Sequence, residues 1–332
     1  MTRTLFRAPD PGASDRFSDE DPSMPRPVNA SGAPVSDPLG SLFIQVMRLL
    51  PKNSLSRAVG RLSDLPIPQP LRAAVLRTFA EQVGADLSEA ELDLSAYATL
   101  NAFFTRRLRS GRRPVDQSAG SIVSPADSVV SEMGRIEHGV LTQTKGRSYK
   151  LEELLVDRNQ VEPFLGGWYM TLYLSPKDYH RVHSPAPGAL LGYRYEPGHL
   201  FPVNAMAVQH VDRLFCINER VSIFLDAFAP TGTAGRAKVG AYRGTPMAVI
   251  MVGATCVGRM TLAFDDLQTN QQPGRSRQVH YQDPRNIERF DELGTFNLGS
   301  TVVLLIGAEE LTIPQAVRSG ARVRVGQRLA RL

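Results

Sequence analysis

The sequence predicts an α+β protein in which N-terminal amphipathic helices lie on a β-rich catalytic core of antiparallel, sandwiched sheets. Apolar residues recur at helical spacing between Pro38 and Gly84, whereas short apolar runs with a period of two dominate beyond Val115. The 332 residues include 24 prolines and 27 glycines, a content that favours turn-rich sheets over long helices. A chain of this length can bury a sizeable core in one or two domains.

Residues 1–37 are predicted to be a disordered leader. They contain six prolines and almost no apolar periodicity, which is typical of segments that cannot bury enough surface to fold. The leader has no apolar h-region, and its six acidic residues argue against an organelle transit peptide. No stretch of the chain reaches the roughly 18 to 20 apolar residues of a spanning helix. The expected compartment is the cytoplasm, with any membrane contact peripheral.

Residues 38–114 are predicted to form a helical region. The apolar spacing predicts a first helix that ends near Pro51, a second over 71–83, and a third over 94–109. The third would follow a capping box formed by Ser88 and Glu91.

The charge of this helical region suggests contact with a membrane. Residues 38–113 carry eleven basic and six acidic side chains, and an apolar helix face beside clustered cations is what an anionic lipid surface attracts. The candidate membrane residues are Leu42, Phe43, Val46, Arg48 and Lys52. The alternative is a helical subdomain that packs on the core with its charges solvated.

Residues 115–332 are predicted to form the β-rich catalytic domain. Apolar, β-rich runs predict strands over 168–174, 221–227, 246–257 and 301–306. The Gln- and Arg-rich stretch from Asp266 to Asn286 is predicted to be a long loop. The alternation of Val323 and Val325 with arginines, followed by Leu329, predicts a final hairpin.

Three short segments contain the residues that could perform chemistry. Asp127 lies in a Ser-Pro-Ala-Asp turn, His180 and His183 lie three residues apart after a strand, and Ser300 precedes an apolar strand. Each segment also has an ordinary structural explanation, such as an Asx turn for Asp127. Together they supply the acid, base and nucleophile of a charge-relay triad. Gly299 adds the backbone freedom that a serine would need to reach its own preceding carbonyl.

From the residues alone, two kinds of enzyme remain open: a hydrolase and a self-cleaving serine protein. The segment Leu-Gly-Ser-Thr is not a nucleophile elbow, because no glycine follows the serine at the second position and a strand follows in place of a helix. The two cysteines form no CxxC and no cluster with histidine, so neither a metal site nor a disulfide framework is predicted.

The order of several longer motifs resembles a known family. The chain is similar to the bacterial phosphatidylserine decarboxylases of the proenzyme type over roughly residues 45–332. The matching stretches are LPKNSLSR (50–57), FFTRRLRSGRRPV (103–115), SPAD (124–127), DYHRVHSP (178–185), PGHLFPVN (197–204), NERV (218–221) and FNLGST (296–301). Two departures, Ser128 where glycine is usual and Ser184 where methionine is common, remove no reacting group.

The resemblance implies a residue-level mechanism. Asp127, His183 and Ser300 would form a self-processing triad that cuts the chain between Gly299 and Ser300 into a β chain (1–299) and an α chain (300–332). Ser300 would become a covalent pyruvoyl group, the cofactor that forms a Schiff base with the substrate amine. His180 would serve proton transfer in decarboxylation. No metal is implied.

The resemblance also implies the setting of the reaction. The substrate would be phosphatidylserine in the bilayer, converted to phosphatidylethanolamine and CO2 in phospholipid biosynthesis. The α and β chains would stay associated, bound peripherally to an anionic surface on the cytoplasmic face of the cell membrane, without a nucleic-acid partner. Three alternatives remain: a Ser-His-Asp lipid-ester hydrolase, a pyruvoyl decarboxylase of another serine-headed lipid, and a non-enzymatic membrane-binding module.

Overall fold

The fold is a set of antiparallel sheets preceded by short helices, which confirms the predicted α+β class. The computed structural model describes residues 45–47, 49–144, 146–230, 242–255, 259–271, 274–297 and 300–332. The leader 1–37 and the candidate residues Leu42, Phe43, Arg48 and Gly299 lie outside the described residues. The division of the chain at residues 38 and 115 stays a prediction.

Six α-helices are described in full, and most of them are short. They are α1 (Lys52–Ser63), α2 (Gln69–Val83), α3 (Leu100–Phe104), α4 (Leu151–Leu155), α5 (Ala205–His210) and α6 (Leu214–Ile217). The ends of α2 follow from its sequence, because Pro70 fits the first helical turn and Gly84 adopts the left-handed conformation that stops it. Among the residues described, no helix is long and apolar enough to cross a membrane.

The β-strands of the described residues form four antiparallel sheets. They are β1 (Ser121–Val123), β2 (Ser128–Arg135), β3 (Val140–Thr144), β4 (Arg147–Lys150), β5 (Trp168–Leu174), β6 (Arg181–His183), β7 (Gly188–Glu196), β8 (Arg220–Ala227), β9 (Thr245–Gly253), β10 (Arg259–Leu262), β11 (Arg277–Ile287), β12 (Glu292–Asn297), β13 (Ser300–Ile306), β14 (Arg322–Val323) and β15 (Arg328–Arg331). The large sheet has the order β11-β7-β8-β9-β13-β5-β2-β14, and β10-β12-β6 form a smaller one.

Strand β13 lies in the middle of the large sheet, and all of its residues are buried. It pairs with β9 on one side and with β5 on the other. Val302 and Leu304 pack in the apolar cluster on one face, whereas Val303 and Leu305 pack in the cluster on the other. Because side chains alternate along a strand, Ser300 shares the face of Val302.

The predicted helix over 94–109 is wrong. The structure has a 3₁₀ turn over Leu94–Ala96 and then the separate helix α3. Thr99 divides the two, because its backbone is extended and its hydroxyl caps α3 by accepting the N–H of Ala102. The proposed capping box is absent as well, since the preceding turn is capped by Asp86.

Two expectations for the β half are also wrong. The stretch from Asp266 to Asn286 is not one long loop, because β11 pairs with β7 at the edge of the large sheet. An edge strand is held by backbone hydrogen bonds and keeps most side chains exposed, so its composition resembles that of a loop. The tail is not a hairpin, since β14 pairs with β2 whereas β15 pairs with β1.

Lys52 does not lie on the surface as expected for a membrane contact. Its side chain is buried, and Nζ donates a hydrogen bond to the Met47 carbonyl at 2.7 Å. The ammonium also lies 4.3 Å from the centre of the Phe201 ring, a cation–π distance. A cation held by its own chain in this way is not presented to lipid. Val46, in contrast, is 48% exposed.

Candidate active site

Ser300 is a buried nucleophile candidate at the start of the central strand. It is 1% exposed, and its Oγ has no hydrogen-bond partner among the described residues. Its backbone lies between Leu174 of β5 and Gly253 of β9. A buried hydroxyl is normally hydrogen-bonded, so Ser300 requires an explanation, as do the similarly unpartnered hydroxyls of Ser121 and Thr301.

His183 has the tautomer and the surroundings of a base. Nδ1 lies 2.7 Å from the Phe290 carbonyl oxygen, which can only accept, so Nδ1 carries the proton and Nε2 presents a lone pair. The Tyr179 hydroxyl lies 3.1 Å from Nε2 and donates to it. The ring is also stacked on Phe290. Burial lowers the pKa of His183, although the Phe290 carbonyl, Glu292 and Asp127 act in the opposite direction.

His180 is buried more deeply and is neutral. Its Nδ1 donates to the Asp178 carbonyl at 2.8 Å, and Nε2 is buried without a partner among the described residues. The ring packs on Phe104 with 4.0 Å between centroids. Burial, assisted by the nearby Arg106, lowers the pKa of His180 to about 3. Nε2 of His180 thus carries a lone pair, as Nε2 of His183 does, but no described polar group binds it.

Asp127 is held by an arginine and a backbone amide. Arg113 Nε donates to Oδ1 at 2.9 Å, and the N–H of Val325 donates to the same oxygen at 2.9 Å. The other side of the Arg113 guanidinium forms a bidentate pair with Glu89, at 2.7 and 2.8 Å. Burial lowers the pKa of Arg113, but the hydrogen bonds to the two carboxylates raise it more, so the cation is permanent.

The structure brings the predicted triad segments together without hydrogen bonds between the three side chains. The N–H of His183 donates to the Pro125 carbonyl at 2.8 Å, which places the Asp127 turn beside His183. The His180 carbonyl accepts from Phe296 N at 3.0 Å, four residues before Ser300. The Asp127 and His183 side chains have other partners in this state, and the Ser300 Oγ has none among the described residues. The roles of these residues stay predictions.

Sequence reasoning missed several residues that position the site. Arg113 and Tyr179 lie within the matching motifs, but neither was distinguished from its neighbours. Asp178 was missed too; its Oδ2 accepts from Ser175, and its Oδ1 accepts from Arg322. Phe290 acts through its backbone carbonyl, which every residue has, so no sequence signal could have identified it.

A small cavity beside β13 and possible metal-binding groups were compared with the region around Ser300. A small apolar cavity of about 30 Å³ lies beside Thr301 and Tyr173, on the face of β13 opposite Ser300, and has room for water molecules only. Among the described residues, no group of three or more His, Cys, Asp or Glu side chains could hold a metal ion. The region of Asp127, His180, His183 and Ser300 is the candidate active site because it contains the buried side chains that could act as acid, base and nucleophile.

The comparisons with known proteins agree with the motifs. The family model "Phosphatidylserine decarboxylase" matches residues 100–331. The phosphatidylserine decarboxylase proenzyme of Myxococcus xanthus is 41% identical over 289 residues, which is 86% of this chain and 97% of the relative. That of Anaeromyxobacter sp. is 44% identical over 290 residues, or 87% and 97%. Because both matches extend over most of the chain, this protein belongs to the phosphatidylserine decarboxylase family of enzymes.

Proposed function

We propose that this chain is a proenzyme that cleaves itself between Gly299 and Ser300 and then decarboxylates phosphatidylserine to phosphatidylethanolamine. The observation that carries the proposal is the buried Ser300 Oγ, which has no partner among the described residues and lies at the start of β13 in a member of this family. A serine hydroxyl becomes nucleophilic when a neighbouring base takes its proton, and the Nε2 lone pair of His183 is such a base.

Self-cleavage requires one exchange of hydrogen bonds. The Tyr179 hydroxyl must leave His183 Nε2 so that the hydroxyl of Ser300 can donate there. Oγ then attacks the Gly299 carbonyl carbon, and the acyl group moves from the Ser300 nitrogen to Oγ to give an ester. Loss of the Ser300 α-proton expels the Gly299 carboxylate, and hydrolysis of the resulting dehydroalanine releases ammonia. Asp127, held by Arg113, favours the charged form of His183 during proton transfer.

The surroundings of Ser300 fit a pyruvoyl group, because the elimination removes Oγ together with the Gly299 carboxylate, and a buried hydroxyl without a partner is lost without breaking a hydrogen bond. Such a group supplies an electron sink for the loss of CO2 from the serine head group. His180 is the candidate for proton transfer in decarboxylation, because its buried Nε2 has a lone pair and no partner among the described residues.

The proposed α chain (300–332) would remain bound to the β chain after cleavage. It contributes three strands: β13 pairs with β9 and β5, β14 with β2, and β15 with β1. Because the backbone hydrogen bonds of these ladders do not depend on the Gly299–Ser300 peptide bond, we expect the two chains to separate only under denaturing conditions.

Exposed apolar side chains on the helical region support peripheral membrane binding. Within the described part of the chain, fourteen large apolar side chains are exposed, and eight of them lie between residues 46 and 75: Val46, Leu49, Leu50, Leu55, Leu62, Leu65, Leu71 and Val75. Such a concentration marks an interaction surface, and Arg57 and Arg61 lie on the same segment. We therefore propose that the protein binds the cytoplasmic face of the cell membrane, whose anionic lipids attract these cations.

The proposal is tested by comparing the wild-type protein with Ser300→Ala and Ser121→Ala. The second variant is a matched control, because it removes another buried serine hydroxyl, from β1. We expect two fragments with a blocked α-chain terminus for the wild type and for Ser121→Ala, and one inactive chain for Ser300→Ala. Denaturing gels, intact mass spectrometry and CO2 release from phosphatidylserine provide the readouts. A single full-length wild-type chain that hydrolyses lipid esters would instead support the hydrolase alternative.

A further inference from the structure

A cationic cavity lies between helix α1 and the loop that follows β10. Its volume is about 340 Å³, and its lining includes Arg57, Arg61, Arg259 and the polar residues 268–271. This volume is at the lower end of the roughly 300 to 1,000 Å³ of small-molecule sites. The cavity is thus large enough for a polar head group but not for acyl chains.

Two of the three arginines have no carboxylate partner among the described residues. Arg259 pairs with Asp64 at 2.7 Å. Arg57 donates to the neutral oxygens of Asn270 and Ser54, at 3.2 and 2.8 Å. Arg61 is exposed, and no ion pair is formed by it within the described part of the chain. The cavity therefore has an excess of positive charge.

One further carboxylate lies near the cavity and must be included in its charge. Glu219 is 3% exposed, and its Oε1 already accepts from Tyr195 at 2.7 Å and from Asn270 N at 2.7 Å. Burial raises the pKa of Glu219, whereas Arg57 acts in the opposite direction. Glu219 offsets part of the charge of Arg57, but it does not line the cavity, so the Arg57 guanidinium can still bind an anion.

Two hydrogen bonds connect the surroundings of the cavity to residues next to Ser300, one through the preceding strand β12 and one through the neighbouring strand β9. On one side, Asn297 Nδ2 donates to the Arg259 carbonyl at 3.2 Å, three residues before Ser300. On the other side, the Glu219 carbonyl accepts from the N–H of Gly253 at 2.8 Å, and Gly253 lies opposite Ser300 in the sheet. The cavity lining is therefore joined by hydrogen bonds to residues that lie three positions before Ser300 and directly opposite it in the sheet.

Helix α1 connects the same cavity to the exposed apolar surface. Arg57 and Arg61 are four residues apart and share one flank of the helix, whereas Leu55 and Leu62 lie on the other flank and are exposed. A helix lying on a bilayer with these leucines in the lipid would hold its arginines at the depth of the head groups.

We propose that this cavity binds the phosphate of the lipid head group through Arg57 and Arg61. The proposal rests on the function proposed above. Guanidinium groups match phosphate oxygens with two parallel hydrogen bonds, which compact cations cannot reproduce. The phosphate would lie between the membrane surface and Ser300, so that the serine part of the head group reaches the reacting carbon.

The test compares the double variant Arg57→Gln/Arg61→Gln with Arg77→Gln/Arg318→Gln. The control removes the same charge from two exposed arginines outside the cavity. Decarboxylation is measured in non-ionic mixed micelles, so that general attraction to an anionic surface is small. We expect the KM for phosphatidylserine to rise at least about tenfold in the cavity variant, with kcat within about twofold. The control should match the wild type.

Soluble probes distinguish a lipid head group from free phosphate. Glycerophosphoserine should inhibit the wild type competitively and more strongly than inorganic phosphate, and the cavity variant should lose this inhibition. Equal inhibition by both probes would overturn the head-group proposal in favour of a simple phosphate site. An unchanged KM in the cavity variant would overturn the cavity as a site.

If the double variant does not cleave itself, a milder pair of substitutions tests the same site. Arg57→Lys/Arg61→Lys keeps the charges but removes the bidentate geometry, so we still expect a higher KM; a KM equal to that of the wild type would overturn the proposal. A wild-type protein that matures but does not decarboxylate phosphatidylserine would refute the proposed function, which is a separate outcome.

Discussion

The β core and the helical segment between residues 46 and 75 differ in the exposure of their apolar side chains. Every residue of β13 is buried, and apolar clusters cover both faces of the central sheet. The helical segment instead leaves side chains such as Leu49 and Leu62 exposed, at 87% and 66%. The core thus excludes water from the side chains proposed to react, whereas the helical segment leaves its apolar surface open for the proposed contact with lipid.

The largest effect is expected inside the core, where the two buried histidines have different predicted roles. His183→Ala and Asp127→Ala should slow self-cleavage by about 10²- to 10⁴-fold, because Ser300 loses its base or the group that supports it. His180→Ala should still cleave at least partly but decarboxylate poorly. A denaturing-gel time course and CO2 release measure the two steps separately. If His180→Ala stayed intact while His183→Ala matured normally, the two roles would have to be exchanged.

A second prediction concerns the ionic contact that joins the helical region to the core. Arg113→Met leaves the Glu89 and Asp127 carboxylates without their shared cation, and the Arg113 and Asp127 side chains are only 6% and 8% exposed. Breaking such a buried pair costs about 3–5 kcal/mol of unfolding free energy. Urea unfolding of the uncleaved Ser300→Ala background measures this loss.

Arg107→Met is the matched control for Arg113→Met. The Arg107 side chain is 65% exposed and lies 4.0 Å from Glu292, so the change should cost less than about 1 kcal/mol. Equal losses for the two variants would mean that the buried pair does not hold the regions together.

A smaller effect is expected from the exposed surface. Leu49→Ser/Leu55→Ser/Leu62→Ser should lower binding to phosphatidylcholine vesicles that contain phosphatidylglycerol by at least about tenfold, because burial of each leucine is worth roughly 1.5–3 kcal/mol. Self-cleavage should be unchanged, since these side chains do not fill the core. Co-sedimentation and a gel measure the two properties.

The matched control for the surface takes three exposed apolar residues from the other half of the molecule. Val140, Val156 and Leu165 are 38%, 45% and 50% exposed. Their combined replacement by serine should leave vesicle binding unchanged. Full binding by the leucine variant would place the membrane contact elsewhere, and loss of its self-cleavage would mean that these leucines support the core.

The buried strands of the fold were predictable, whereas its polar edges were not. Strands β5, β8, β9 and β13 are apolar and β-rich because they are buried on both faces, and this property is directly visible in the sequence. Strand β11 is an edge strand with mostly exposed side chains, so its composition resembles a loop. The amino-acid composition of a segment indicates whether it is buried, but not whether its backbone pairs with a neighbouring strand.

The site divides in the same way. Asp127, His180, His183 and Ser300 could be predicted as site residues because their residue types and motifs suit the proposed chemistry. Arg113 was one of five arginines in a single stretch, and only the fold determines which of them reaches Asp127. Lys52 illustrates the converse, because a lysine that suited a lipid surface is buried against Met47 and Phe201.

The smallest predicted effect concerns the pH dependence of self-cleavage. A histidine with the ordinary pKa of 6.5 would be half protonated at pH 6.5, and a rate that needs its neutral form would fall to half. Burial lowers the pKa of His183, so the lone pair of Nε2 persists to lower pH. We therefore expect the rate to reach half of its plateau below pH 6.5, in a series from about pH 5 to about pH 8.

Glu292 provides an internal comparison for this pH dependence. Its carboxylate favours protonated His183, whereas its partner Arg181 opposes protonation. Glu292→Gln removes the favourable charge and leaves the unfavourable one, so the half-maximal rate should move to still lower pH. Self-cleavage is followed on denaturing gels after the precursor, denatured in acid or urea, is diluted into each buffer and refolds. A midpoint at or above pH 6.5, or a shift towards higher pH in Glu292→Gln, would mean that the base is not the buried His183.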